Sequence, residues 1–139
     1  MELKEIIDLL HSELENNTQL NIGLIGDLGS GKTFLVKKLL ETINPLLENQ
    51  VSSPTYNICN IYQFQNTIIH HFDLYRIENE EELYEVDIWE SIEGSENITF
   101  IEWVDMFSQI KHKCDIIVSI EIMEQENRKY RVDTNNENK

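Results

Sequence analysis

Residues 20–43, LNIGLIGDLGSGKTFLVKKLLETI, decide the fold of this chain. The first six residues form a short apolar run bounded by polar and glycine residues, which predicts a buried strand. Residues 32–43 place apolar side chains on one side at helical spacing, and Pro45 ends the predicted helix. A glycine-rich turn joins the two. Strand, glycine turn and helix in this order are the setting in which such a turn binds phosphate.

The turn itself carries the pattern G-x-x-x-x-G-K-[S/T] at Gly26, Gly31, Lys32 and Thr33. Glycines allow backbone N–H groups to turn inward around phosphate oxygens, and the helix N-terminus adds partial positive charge. We expect Lys32 to reach the β- and γ-phosphates and the Thr33 hydroxyl to bind Mg²⁺. The N–H groups of Thr33 and Phe34 lie where an α-phosphate would be held.

The remaining apolar patterns predict an α/β domain. Helices are expected at 2–15 and 79–92, strands at 56–64, 67–75 and 98–104, and a terminal hairpin from 115–123 and 129–134. Parallel and antiparallel signals occur together, so we predict a three-layer, P-loop NTPase-like domain with a mixed central sheet. We expect this single domain to span residues 1–134 and residues 135–139 to form a disordered tail.

Two carboxylates are candidate site residues. Glu102 ends the predicted strand ITFIE, where nucleotide-binding proteins place a carboxylate that holds Mg²⁺ directly or through water. Asp73 lies in a strand pattern that disfavours aspartate, and its carboxylate could orient an attacking water. The alternatives are an ordinary strand-end glutamate and a surface ion pair between Asp73 and Arg76.

Other polar residues have weaker signals. Thr55, in the loop SSPTY, could sense a γ-phosphate as switch loops do, although a plain turn explains the pattern equally well. His70 and His71 are adjacent in a strand and face opposite ways, which argues against a shared zinc ion. Cys59 and Cys114 lack metal-ligand spacing and are expected to be free thiols in a reducing compartment.

Charge limits the partners of the chain. Its 139 residues carry a formal net charge of −15, and such a surface repels phosphate backbones. We therefore expect any RNA substrate to be held by a partner protein. No signal-peptide pattern and no apolar run of membrane-spanning length occurs, so we expect a cytoplasmic protein without membrane attachment.

Four motifs together resemble one family. GDLGSGKT, SSPTY, HFDLYR and IEW, in this order within roughly residues 20–105, resemble the TsaE (YjeE-type) family of bacterial ATPases of tRNA threonylcarbamoyladenosine synthesis. The resemblance implies weak ATP hydrolysis with Mg²⁺, alongside the partner proteins TsaB and TsaD. Those partners transfer threonylcarbamoyl onto N6 of the adenosine beside the anticodon in tRNAs reading A-starting codons. The tRNA would be met only through the complex.

The same resemblance implies roles for individual residues. ATP would be contacted by Gly29, Ser30, Gly31, Lys32, Thr33 and Phe34. Thr33 and Glu102 would bind Mg²⁺, Asp73 would serve hydrolysis, and Trp103 would sit by the nucleotide. Arg128 would approach the nucleotide from the last hairpin.

The chain departs from the family at three positions. The usual loop alanine is Ser30 here, a change expected to be harmless. Asp87 stands where a glycine is usual, and Val104 stands where a proline usually follows Glu102 and Trp103.

Two other functions fit the same loop. A small P-loop kinase would close an arginine-bearing lid over the phosphate, but only Arg76, Arg128 and Arg131 exist, without an obvious lid insertion. A nucleotide-gated binding module would bind ATP and dock a partner without turnover. A GTPase is disfavoured because the guanine-reading motif Asn-Lys-x-Asp is missing from the sequence.

Overall fold

The computed structural model describes residues 1–52 and 58–134. Its helices are α1 (Leu3–Asn16), α2 (Lys32–Ile43), α3 (Glu80–Glu85), α4 (Ile88–Glu93) and α5 (Ser108–His112). Its strands are β1 (Leu20–Ile25), β2 (Cys59–Phe64), β3 (Thr67–Asp73), β4 (Asn97–Glu102), β5 (Ile116–Ile122) and β6 (Arg128–Thr134). Short 3-10 turns occupy Pro45–Gln50, Val104–Met106 and Glu124–Glu126.

The six strands form one mixed sheet in the order β2-β3-β4-β1-β5-β6. The four central strands are parallel, while β2 pairs antiparallel with β3 and β6 pairs antiparallel with β5. Both predicted hairpins are therefore confirmed, although residues 56 and 57 of the first lie outside the described part of the chain. The mixed central sheet is confirmed with them.

Helices cover both faces of this sheet. On one face, α1 and α2 bury Ile6, Leu10 and Leu39 against the sheet in one apolar cluster. On the other face, α3, α4 and α5 contribute to a second cluster that includes Leu83 and Ile92. The predicted three-layer α/β architecture is confirmed, with its core divided between the two sides of the sheet.

The chain order places a crevice at the carboxyl end of β1. From β1 the chain crosses β4 and β3 to reach β2, whereas from β4 it crosses β1 in the opposite direction to reach β5. In open α/β sheets, ligands bind at such a reversal of strand order, outside the carboxyl ends of the strands. The loop between β1 and α2 stands at this point. Register places Glu102 beside both Leu24 and Asp73, so three strands end together there.

The prediction of one continuous helix over 79–92 is wrong. Asn79 caps the start as expected, since its Oδ1 accepts a hydrogen bond of 3.1 Å from the Glu82 N–H. The helix is then interrupted at Asp87, whose φ of 58° and ψ of 28° are left-handed. Left-handed backbone favours glycine, and aspartate tolerates it better than most residues. Asp87 thus adopts the conformation that suits the glycine usual in the resembling family.

Within the described ranges, no helix combines the length and the apolar character that crossing a membrane requires.

Candidate nucleotide site

The loop between β1 and α2 has the backbone of a phosphate cradle. Gly29 and Gly31 have φ of 77° and 103°, left-handed values that a side chain would strain. The first helical bond after the loop runs from the Leu35 N–H to the Gly31 carbonyl oxygen at 2.9 Å. The helix itself therefore makes no use of the preceding N–H groups of Thr33 and Phe34. These donors and the start of a twelve-residue helix favour an anion at the loop.

Lys32 folds back over its own loop. Its Nζ donates to the carbonyl oxygens of Gly26 at 2.5 Å and Asp27 at 3.1 Å. The same atom lies 4.1 Å from the centre of the Trp103 ring, within cation–π range. Burial lowers the pKa of the Lys32 amine, and the negative charge of Glu102 opposes that shift. The ammonium is therefore held at the mouth of the loop by contacts that a phosphate can replace.

Glu102 and Thr33 meet although 69 residues separate them. The Thr33 hydroxyl donates to Glu102 Oε2 at 2.7 Å, and the glutamate is only 3% exposed. A hydroxyl and a carboxylate side by side are hard oxygen donors of the type that Mg²⁺ prefers. The two residues predicted to bind the metal thus fit it in chemistry and position.

Asp73 lies at the end of β3, beside Glu102 in the register. Its Oδ1 accepts a hydrogen bond of 3.0 Å from the Tyr75 N–H. Burial raises the pKa of the Asp73 carboxyl, and the Tyr75 hydrogen bond opposes the shift. A carboxylate with a raised pKa accepts a proton more readily, which suits a residue that orients water.

Trp103 closes one wall of the site in an unusual conformation. Its φ of 62° is left-handed, which is rare for a bulky residue. Its N–H donates to the Leu24 carbonyl oxygen at 3.0 Å, and its ring lies 4.9 Å from that of Tyr75. Non-glycine residues keep such backbone where the surroundings enforce it, most often at functional sites.

These residues line a cleft of about 260 Å³. Its walls are Leu28, Gly29, Gly31, Lys32, Thr33, Phe34, Asp73, Glu102 and Trp103. Most of the residues predicted for the site therefore come together in one place.

Arg128, Ser30 and Gly26 lie elsewhere around the loop. Arg128 donates from Nε to the Ser30 carbonyl oxygen at 2.8 Å and from Nη2 to that of Gly29 at 3.1 Å. It thus contacts the loop backbone, beside a second cavity of about 790 Å³. Gly26 accepts the Lys32 bond, and the Ser30 hydroxyl is buried without a hydrogen-bond partner among the described residues. Thr55 lies outside the described residues.

Sequence reasoning missed two residues behind the cleft. His71 Nε2 lies 2.5 Å from Glu102 Oε2, and Tyr62 Oη lies 2.9 Å from His71 Nδ1. His71 begins the motif HFDLYR, but its own role was weighed only with His70, where the two were argued not to share a zinc ion. The available signal was the alternation of the strand, which places His71 on the same face as Asp73, two residues away.

Comparison with known proteins gives a consistent result. The family model described as "Threonylcarbamoyl adenosine biosynthesis protein TsaE" matches residues 1–132. A protein of Rickettsia felis named "tRNA threonylcarbamoyladenosine biosynthesis protein TsaE" is 33% identical over 134 residues, covering 96% of this chain and 75% of the relative. A protein of the same name from Haemophilus influenzae is 37% identical over 117 residues, covering 84% and 70%.

A solved structure shares the fold. The crystal structure of YdiB from Bacillus subtilis superposes with a TM-score of 0.54 at 19% identity, covering 86% of this chain and 72% of the other. At that identity the likeness speaks for the α/β architecture alone. The match to the family model over nearly the whole chain is what decides membership: this protein belongs to the TsaE family.

Proposed function

We propose that this chain binds ATP with Mg²⁺ and hydrolyses it weakly, in support of threonylcarbamoyl modification of tRNA. The modified adenosine is the one next to the anticodon in tRNAs reading A-starting codons. The chain acts in the cytoplasm with TsaB and TsaD and is not itself the transferase. Family membership and the names of its relatives support the pathway. The net charge of −15 supports contact with tRNA only through the complex.

One observation carries the nucleotide part of the proposal: the hydrogen bond of 2.7 Å between the Thr33 hydroxyl and Glu102 Oε2. It joins the glycine loop to the acidic strand end, the two halves of a nucleotide–metal site. Thr33 and Glu102 would hold the magnesium ion, which when bound neutralises charge on the β- and γ-phosphates.

The surrounding residues then take distinct roles. Lys32 exchanges its two carbonyl acceptors for phosphate oxygens, and the N–H groups of Thr33 and Phe34 donate to the phosphates. Asp73 orients the water that attacks the γ-phosphorus. The bond from that phosphorus to the bridging oxygen breaks, ADP and phosphate leave, and the water proton passes to solvent or to the Asp73 carboxylate.

The decisive experiment measures phosphate released from ATP by the chain alone and then with TsaB, TsaD and tRNA added. Stimulation by the mixture supports the proposal. Phosphate transferred to a small acceptor would instead support a kinase. Tight ATP binding without turnover in every mixture would leave a nucleotide-gated binding module.

Matched variants test the site itself. Lys32→Ala should abolish nucleotide binding, whereas Lys37→Ala on the same helix should bind as the unaltered protein does. Glu102→Ala should lose Mg²⁺-dependent turnover by more than it loses binding, because its carboxylate serves the metal. Full activity in both Lys32→Ala and Glu102→Ala would remove this cleft as the site.

A further inference from the structure

Behind the cleft lies a buried row of hydrogen-bonded side chains. Glu102 Oε2 contacts His71 Nε2 at 2.5 Å, and His71 Nδ1 contacts Tyr62 Oη at 2.9 Å. Exposure is 0% for His71 and 3% for each of the other two residues. The row runs across three neighbouring strands, from β4 through β3 to β2. Water does not reach these groups, so each must find its hydrogen-bond partners within the protein.

With an ionised glutamate and a neutral imidazole, one arrangement of hydrogens pairs all three side chains of the row. The Glu102 carboxylate accepts hydrogen bonds only, so His71 must donate to it from Nε2. Nδ1 of the neutral imidazole is then free to accept. The Tyr62 hydroxyl donates to it at 2.9 Å, since the other acceptor within reach, the Ser52 carbonyl oxygen, is farther away at 3.4 Å. The Thr33 hydroxyl supplies the second donor to Glu102 Oε2, at 2.7 Å. Each side chain thereby fixes the orientation of the next.

We propose that His71 is a positioning residue of the nucleotide site. It holds one oxygen of Glu102 so that the carboxylate faces the Thr33 hydroxyl, and Tyr62 holds the imidazole in the required tautomer. The inference rests on the proposed function, because it concerns the carboxylate assigned to the metal. Partners behind a ligating group commonly change metal affinity or activity by about 10- to 100-fold when removed.

The geometry separates this role from simple packing. Leucine at position 71 would fill much of the same space but would remove one of the two donors to Glu102 Oε2. It would also leave Tyr62 Oη with only the Ser52 carbonyl oxygen at 3.4 Å as acceptor. Glutamine would retain an N–H donor near the position of Nε2. If His71 only filled volume, His71→Leu would preserve the Mg²⁺ requirement at least as well as His71→Gln. Leucine would then be the better substitute, because a buried glutamine amide needs hydrogen-bond partners of its own.

The experiment compares His71→Leu, His71→Gln and Tyr62→Phe with His70→Leu, the matched neighbour on the opposite face of the strand. Tryptophan fluorescence, measured in a Trp89→Phe background so that only Trp103 contributes, follows ADP binding first in EDTA and then over a Mg²⁺ titration. Far-UV circular dichroism checks folding. Two-bond ¹H–¹⁵N spectra of the ligand-free protein report the tautomer of His71.

We expect His71→Leu to raise the half-saturating Mg²⁺ concentration by about 10- to 100-fold while ADP affinity in EDTA is unchanged. His71→Gln should recover most of this loss, Tyr62→Phe should show a smaller loss, and His70→Leu should show none. The spectra should place the hydrogen on Nε2. If His71→Leu does not fold, His71→Gln, Tyr62→Phe and the spectra still decide the matter.

Opposite outcomes are distinguishable. An unchanged Mg²⁺ requirement in the variants, or an Nε2 that carries no hydrogen, overturns the role of His71 while the proposed function stands. If the unaltered chain binds neither ADP nor Mg²⁺, the proposed function itself fails and the role of His71 fails with it.

Discussion

The conformation of the glycine loop predicts an energetic coupling between Gly26 and Ser30. A Cβ added at Gly26 would lie 2.4 Å from Ser30 Oγ and 3.1 Å from both Ser30 Cβ and the Ile120 carbonyl oxygen. Forcing a methyl group into such space costs about 1–3 kcal/mol. Alanine also returns about 0.4–1 kcal/mol by restricting the unfolded chain. Gly26→Ala should therefore lower the free energy of unfolding by roughly 1–2 kcal/mol.

Ser30→Ala should act in the opposite direction. The Ser30 hydroxyl is buried, the residue is 1% exposed, and the hydroxyl has no hydrogen-bond partner among the described residues. An unsatisfied buried hydroxyl costs about 1–3 kcal/mol, so its removal should stabilise the protein by about 1 kcal/mol. For a chain of this length that corresponds to a rise in Tm of roughly 3 °C.

The double variant isolates the steric contact. The unfolded-chain effect of alanine is the same in both backgrounds, so it cancels in the cycle. With Ser30 Oγ gone, the nearest contact of the added Cβ relaxes from 2.4 to 3.1 Å, and Gly26→Ala should cost about 1 kcal/mol less. Nucleotide affinity should follow the same order, being weakest in Gly26→Ala alone.

Urea unfolding followed by circular dichroism measures the four stabilities, and the change in tryptophan fluorescence on adding nucleotide measures binding. Additivity within about 0.3–0.5 kcal/mol would refute the coupling. It would mean that the Ser30 hydroxyl rotates away from the new methyl group at no cost.

Three further predictions concern other parts of the fold. Asp87→Gly should be more stable to urea than Asp87→Ala by about 1 kcal/mol, because position 87 is left-handed; equal stability would contradict this. Arg128→Met should lower the free energy of unfolding by about 1–2 kcal/mol and weaken ATP binding, because it removes the donors to the Gly29 and Ser30 carbonyl oxygens. Arg131 is exposed, so the control Arg131→Met should change the free energy of unfolding by less than about 0.5 kcal/mol. Burial raises the pKa of the Cys59 thiol to about 11 from its ordinary 9.0, so the folded protein holds this proton more tightly and loses stability as pH rises above 9. Urea unfolding of Cys59→Ala at pH 8 to 11 should therefore show a smaller loss of stability with rising pH. If stability falls with pH as steeply as in the unaltered protein, the raised pKa of Cys59 does not cause the loss.

The local elements of the fold could be predicted from short stretches of sequence. Strand β1 and helix α2 have the bounds that residues 20–25 and 32–43 predict, because apolar spacing, glycines and Pro45 act within a few residues. The helix predicted over 79–92 failed for a complementary reason. Its apolar spacing could not show that a left-handed residue, Asp87, interrupts the helix before Ile88 and Ile92 pack on the sheet.

The candidate site divides in the same way. Gly31, Lys32 and Thr33 are one local motif, and Glu102 and Asp73 could be proposed from strand-end positions. Which groups touch could not be predicted, since Thr33 reaches Glu102 across 69 residues and His71 reaches it across 31.

By itself, then, the sequence determined the loop, its helix and the chemistry of the acidic strand ends, because backbone preference and apolar periodicity are local properties. The tertiary structure alone decided that β4 lies between β3 and β1, and so brought His71, Glu102 and Thr33 into contact. Strand order depends on burying the apolar side chains of both faces of the sheet at the same time. That burial involves residues from the whole chain, so no single stretch of sequence determines it.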